Sequence, residues 1–152
     1  MMRTIVVAFL LVLGSAVNGY AEFGAENVQV VFSKATGFGM YQVRPDNVYK
    51  AGEPIIIYGE LKDLSYRENG RKFEFGVDII GAVEDDSGNI LADGIPMGTI
   101  EFNSFHMNKE VYLNVTFNLS GVQSGKYTLV TRIKDIVSGK SFDAKTPIEI
   151  KP

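Results

Sequence analysis

The stretch that decides the fold is GVQSGKYTLVTRIKDIVSGKSFDA, residues 121–144. Small residues open it, and Tyr127 begins an extended run that Ser138-Gly139-Lys140 interrupts before a second run follows. In the first run Tyr127, Leu129 and Ile133 are expected to face inward, and Thr128, Arg132 and Lys134 outward. A period of two marks a strand with one covered face. Between Asp135 and Lys140 there is room only for a tight hairpin connection, in which Gly139 supplies positive φ. Pro147 lacks an amide donor, so the last strand suits a sheet edge. The stretch reads as the hairpin that closes a sheet.

The same period extends over most of the chain. Val28, Val30 and Phe32 alternate with Gln29, Val31 and Ser33. Phe73, Phe75, Val77, Ile79 and Val83 alternate with polar or small residues, with Ile80 as the misfit. Val111, Leu113, Val115, Phe117 and Leu119 form a third dry face, and Phe142, Ala144, Thr146, Ile148 and Ile150 a fourth. Pro54 to Tyr58 is apolar on both faces and reads as a central strand of unassigned facing. No window carries a helical stripe. Strands are expected near 26–33, 38–44, 54–61, 72–84, 89–93, 98–105, 110–119, 126–136 and 141–150, with one or two irregular, so that seven or eight remain. Two antiparallel sheets packed face to face would bury the dry sides.

The first residues read as a targeting signal. Arg3 supplies positive charge, Ile5 to Leu13 an apolar core, and Gly19-Tyr20-Ala21 the small residues of a cleavage site. Ile5 to Val17 falls short of the roughly 18 apolar residues of a spanning helix. Cleavage after Ala21 is expected, with Ala16 as the second choice, leaving residues 22–152 as one domain without stable membrane insertion. Without Arg3, 14 Lys and Arg face 18 Asp and Glu, a net charge of −4. Such a surface argues against nucleic acid and anionic lipid, which need a basic patch. The sequence has no cysteine, which removes disulfides, a thiolate nucleophile and a cysteine-attached lipid anchor. An exported domain without disulfides weakly favours a bacterial periplasm or secretion from a bacterium.

Two signatures go beyond the period. Leu119, a turn, and then Gly125-Lys126-Tyr127 resembles the corner before the penultimate strand of immunoglobulin-like sandwiches, where a tyrosine hydroxyl bonds back to upstream backbone. Tyr49-Lys50-Ala51-Gly52-Glu53 resembles the Y-x-x-G-E entry of macroglobulin-type and related domains of exported bacterial proteins. Gly125 to Leu129, Lys134-Asp135 and Ser138-Gly139-Lys140 are similar to the closing hairpin of bacterial secreted single-domain proteins. The resemblance covers about residues 45 to 150. It implies an immunoglobulin-like antiparallel β-sandwich, with no catalytic residue or cofactor to carry over.

Few residues suggest chemistry. His106 is the sole histidine. A Ser-His-Asp relay would pair it with a serine such as Ser104, but no nucleophile elbow is present, and a loop histidine is the plainer reading. Glu84-Asp85-Asp86-Ser87-Gly88-Asn89, with Asp93, clusters oxygen atoms of the kind calcium takes, yet it has the composition of an ordinary hairpin turn. No metal site is expected. Asn114-Val115-Thr116 and Asn118-Leu119-Ser120 fit the glycosylation pattern, with both asparagines on a wet strand face.

Binding is the better prospect. The polar loop 64–72 carries Tyr66, Arg67 and Arg71, and the apolar-rich connection 94–108 carries Phe102, Phe105 and His106. Loops at one end of a sandwich commonly hold binding sites. The expectation is a non-catalytic exported module that recognises a protein through end loops or a sheet edge. The alternative is a carbohydrate-binding accessory domain, which needs a flat row of aromatics; Tyr41, Tyr58, Tyr66 and Tyr112 are the candidates.

Overall fold

The computed structural model describes residues 22–152, and the export signal expected over residues 1–21 lies outside the described residues. Alternating side chains cut by short turns fold into nine strands rather than the seven or eight expected, two of them only three residues long and outside the expected runs, with no helix among the described residues. They are β1 (Gly24–Val31), β2 (Val48–Lys50), β3 (Ile55–Lys62), β4 (Arg67–Asn69), β5 (Lys72–Asp85), β6 (Ile90–Ser104), β7 (Val111–Phe117), β8 (Gly125–Asp135) and β9 (Ser141–Lys151). One antiparallel sheet has the order β1-β3-β7. The second runs β2-β9-β8-β5, with β8 and β4 along one side of β5 and β6 along the other. β2 lies parallel to the end of β9. The result is an all-β, sandwich-like fold.

The core lies between the sheets. Ile55, Ile57, Leu113 and Phe117 of the small sheet face Phe75, Val77, Leu129 and Ile148 of the large one. The alternation expected for β5, β7, β8 and β9 is observed. The Tyr127 hydroxyl donates to the Gln123 carbonyl at 2.8 Å, four residues upstream. The hairpin between β8 and β9 is tight, with Gly139 at φ 74°.

The small sheet departs from the sequence reading. The segment 38–44 is not a strand: only Val43 and Met40 form isolated bridges, to Val31 and Gly37. It belongs instead to a loop, 32–47, that folds over the outer face of β1-β3-β7. The Asn114 side chain holds this loop by accepting from the Ala35 N–H at 2.9 Å and donating to the Ala35 carbonyl at 3.2 Å. The Gly39 N–H donates to the Tyr58 hydroxyl at 2.7 Å. Val31, expected on the wet side, is buried beneath the loop with Tyr58 and Ala35. Phe32, expected inward, is 53% exposed, because β1 ends at Val31 and the chain turns away. The cover also explains why β3 is apolar on both faces.

The segments expected as strands 89–93 and 98–105 are one strand, β6, bent rather than broken. Its pairing with β5 shifts register at three points, and Gly94 and Gly98 take φ of 66° and 123°. These bulges change which residues face inward, so that Ala92, Ile95, Met97 and Ile100 all pack on the core. A Cβ on Gly81 would lie 2.5 Å from Met97 Cε and 3.0 Å from Phe117 Cε1. The missing side chain at Gly81 therefore leaves room for the Met97 and Phe117 side chains to pack over β5.

The Tyr49 to Glu53 motif is structural. The Tyr49 ring is buried in the core. Glu53 accepts from the Lys50 N–H at 3.0 Å and pairs with Arg44 at 2.5 Å. These two interactions, the backbone bond foremost, hold its carboxyl below the usual range. Arg44 also donates to the Val48 carbonyl at 2.6 Å, and its guanidinium lies 4.2 Å from the centre of the Tyr49 ring.

Candidate functional site

At one end of the sandwich the chain turns three times in close quarters: between β3 and β4, between β6 and β7, and between β8 and β9. Phe75 lies at the centre, 1% exposed. Register places Phe102 directly across from it, and the two rings stack at 4.9 Å and 14°. Tyr66 packs on Phe75 from the other direction at 4.9 Å and 52°. The Tyr66 hydroxyl donates to the Asn108 carbonyl, tying the β3–β4 loop to the β6–β7 loop. Burial pushes that hydroxyl pKa up.

The remaining expected residues lie around this cluster. Arg67 opens β4, with its Nε 3.7 Å from Glu74. Arg71 lies in the turn between β4 and β5, exposed, and forms no ion pair among the described residues. Phe105 is 62% exposed, and Lys72 Nζ lies 5.3 Å from its ring centre. His106 is exposed on the same loop. Its backbone N–H donates to Ser104 Oγ at 3.3 Å, and its imidazole makes no hydrogen bond among the described residues. The structure thus gathers all six residues at one end, with Tyr66 and Phe102 in direct contact with one core ring and the other four on the rim.

Two clefts lie at this end, one of them beside the Tyr66–Asn108 bridge. One, about 290 Å³, has Arg67, Glu74, Glu101, Phe102, Asn103 and the hairpin residues Ile136 and Val137 around it. The other, about 320 Å³, is lined by Phe38, Leu61, Leu64, Tyr66, Asn108 and Val111, with Lys62, Lys109, Glu26 and Asp63 at its mouth. Exposed Met107, beside them on the β6–β7 loop, adds to the apolar surface.

Asp135 fixes the geometry of this end. It is fully buried at the end of β8 and accepts from the Ser65 N–H at 2.8 Å and from the Val137 and Ser138 N–H groups at 2.8 and 3.2 Å. Burial alone pushes its carboxyl up, but the hydrogen bonds from Ser65, Ser138 and Val137 outweigh it and hold the group below the ordinary range. The link to Ser65 docks the closing hairpin onto the Tyr66 loop. The sequence reading does not include this role, nor that of Phe38, whereas Lys72 falls within the polar loop it singles out. The signal for Asp135 was there: an Asp opening a tight turn that ends in Gly is disposed to accept from the turn's own amides.

Other candidates resolve into local structure. Asp85 Oδ1 accepts from the Ser87 and Asn89 N–H groups, and Oδ2 from the Asn89 side chain at 2.9 Å. Glu84 pairs with Lys145 at 2.9 Å. The Glu84–Asn89 stretch is therefore a self-satisfied hairpin turn. Among the described residues no group of three or more His, Cys, Asp or Glu is placed to hold a metal ion. Tyr41, Tyr58 and Tyr112 do form a row on the outer face of the small sheet. Their rings stack on one another, at 4.1 Å and 29° and at 5.8 Å and 28°, and Tyr58 is fully buried between its neighbours. They offer no flat open platform, and Tyr66 lies apart from them.

No family model matches the chain, and no curated protein matches it. Among solved structures, it is similar to a Clostridium perfringens family 123 glycoside hydrolase at TM-score 0.49 and 9% identity, covering 86% of this chain and 27% of that one. It is similar to the Pseudomonas fluorescens alkylpurine DNA glycosylase AlkC at 0.45 and 11%, covering 87% and 31%. The PmoD soluble domain from a Methylocystis species aligns at 0.36 and 14%, covering 88% and 94%. The chain spans less than a third of the glycosidase and glycosylase chains.

Proposed function

We propose that this chain is an immunoglobulin-like sandwich, exported to the periplasm or beyond a bacterial envelope, that binds a protein partner without catalysis. The site is the end built on Phe75. The observation that carries this reading is the convergence there of partly exposed aromatics, Tyr66, Phe102 and Phe105, with the cations Arg67, Arg71 and Lys72. Aromatic anchors beside arginine are the composition of binding hot spots. The partner that fits is a segment with an apolar side chain for the clefts and a carboxylate for the exposed cations Arg71 and Lys72. The immunoglobulin-like assignment is supported by the order β1-β3-β7 opposite β2-β9-β8-β5-β6, and by the Tyr127 hydroxyl at the start of the penultimate strand.

The test is a photoreactive residue installed in place of Phe105 in cells that export the protein, with Lys126, exposed at the opposite end of β8, as control. A discrete crosslinked partner is expected from position 105, none from position 126, and loss of the product in an Arg71→Glu background. No product, or the same products from both positions, would reject the reading.

A further inference from the structure

Sheet edges invite pairing with another chain unless something blunts them. Most edges here are blunted. The free side of β1 is occupied near its end, where the Phe32 N–H donates to the Gln42 carbonyl and the Arg44 N–H to the Val30 carbonyl. β9 is covered by β2 at its end and carries Pro147, Lys145 and Asp143 before it. β6 is bent by its bulges and carries Pro96, Asp93 and Glu101. β7 has none of these devices. Its seven residues, Val111-Tyr112-Leu113-Asn114-Val115-Thr116-Phe117, contain no charge, proline or glycine. Its register with β3 is unbroken, and β3 is its only strand partner among the described residues.

The strand is also complementary to itself. We infer that the free edge of β7 pairs with β7 of a second copy of this chain, antiparallel about Asn114. In that register Val111 lies opposite Phe117 of the copy and Leu113 opposite Val115, continuing the dry face. Tyr112 lies opposite Thr116, and Asn114 opposite itself, on the outer face. No charge meets a like charge. One residue beyond each end, exposed Glu110 faces exposed Asn118. Such an interface is isologous and closes at two copies, joining the small sheets into one of six strands. It lies on the long side of the sandwich and is independent of the partner proposed for the loop end.

Position 118 tests the register by sign. Asn118→Lys sets a cation against Glu110 of the copy, and Asn118→Glu sets two carboxylates together. Sedimentation velocity of the purified protein from micromolar to millimolar concentration is expected to show a monomer–dimer equilibrium. It tightens in the lysine variant and weakens in the glutamate variant, with dissociation constants about tenfold apart because each dimer contains the contact twice. High salt narrows the gap. The amides of β7 that point away from β3 should gain exchange protection as concentration rises, a readout that needs no substitution. A monomer throughout would overturn the proposal, including where a strand from a different protein takes the edge. So would a dimer indifferent to the sign of residue 118.

Discussion

Asp135 has no contact with water, yet it remains a carboxylate because three backbone amides point at it. Removing the acceptor strands those donors, so Asp135→Ala is expected to cost about 3 kcal/mol in urea unfolding. The pH dependence follows from the direction of its shift. A folded-state pKa below the unfolded value gives stability that is fully present above the ordinary carboxylate pKa of about 4. That stability is lost as the pH falls through the depressed folded value. Urea midpoints measured from neutral pH downward should show this acid loss in the parent chain and a shallower loss in Asp135→Asn, which has no proton to take up there. An Asn that left the acid slope unchanged would show that the three amides do not act on this carboxylate.

The loop 32–47 is held less by its own residues than by those of the strands beneath it. Tyr58 is the main tie: its hydroxyl accepts from Gly39 and donates to Glu60 at 2.8 Å. Burial, with Glu60 beside it, pushes that hydroxyl up to about 12, so it stays protonated throughout ordinary conditions. Tyr58→Phe is expected to lower stability by about 1–3 kcal/mol and to speed amide exchange over residues 37–42 while β8 and β9 stay protected. Equal protection in both chains would mean that the stacked rings alone hold the loop. This cover is also where reading from sequence failed. Val31 and Ile56 have the apolar character of core residues, but nothing in a period of two says that a loop, rather than a second sheet, lies over them. Gly37 to Val43 alternates well enough to pass for a strand. The bend in β6 was hidden for a similar reason: Gly94 and Gly98 look like loop residues until the long partner strand, β5, is known to run past both.

Across the whole molecule, what could be read was what repeats. The dry faces of β5, β7, β8 and β9 follow from alternation, and the closing hairpin from Ser138-Gly139-Lys140. The candidate end was legible in composition, through Tyr66, Arg67, Arg71, Phe102, Phe105 and His106, but not in arrangement. Phe75 reads as ordinary core, and only the pairing of β5 with β6 sets Phe102 across from it. The oxygen-rich turn between β5 and β6 carries its own consequence for the intact chain. Both Asp85 oxygens accept from the turn, which holds its carboxyl below the usual range chiefly through Asn89. Millimolar calcium is therefore expected to leave the melting temperature unmoved; a clear rise would show that the turn opens to bind the ion. The tyrosine row has an optical consequence. With no tryptophan in the chain, three stacked chromophores at 4.1 and 5.8 Å, tilted by 29° and 28° from one to the next, couple their excited states. The near-ultraviolet dichroism should therefore be dominated by this stack, giving the protein a built-in spectroscopic gauge of whether its overlying loop is seated.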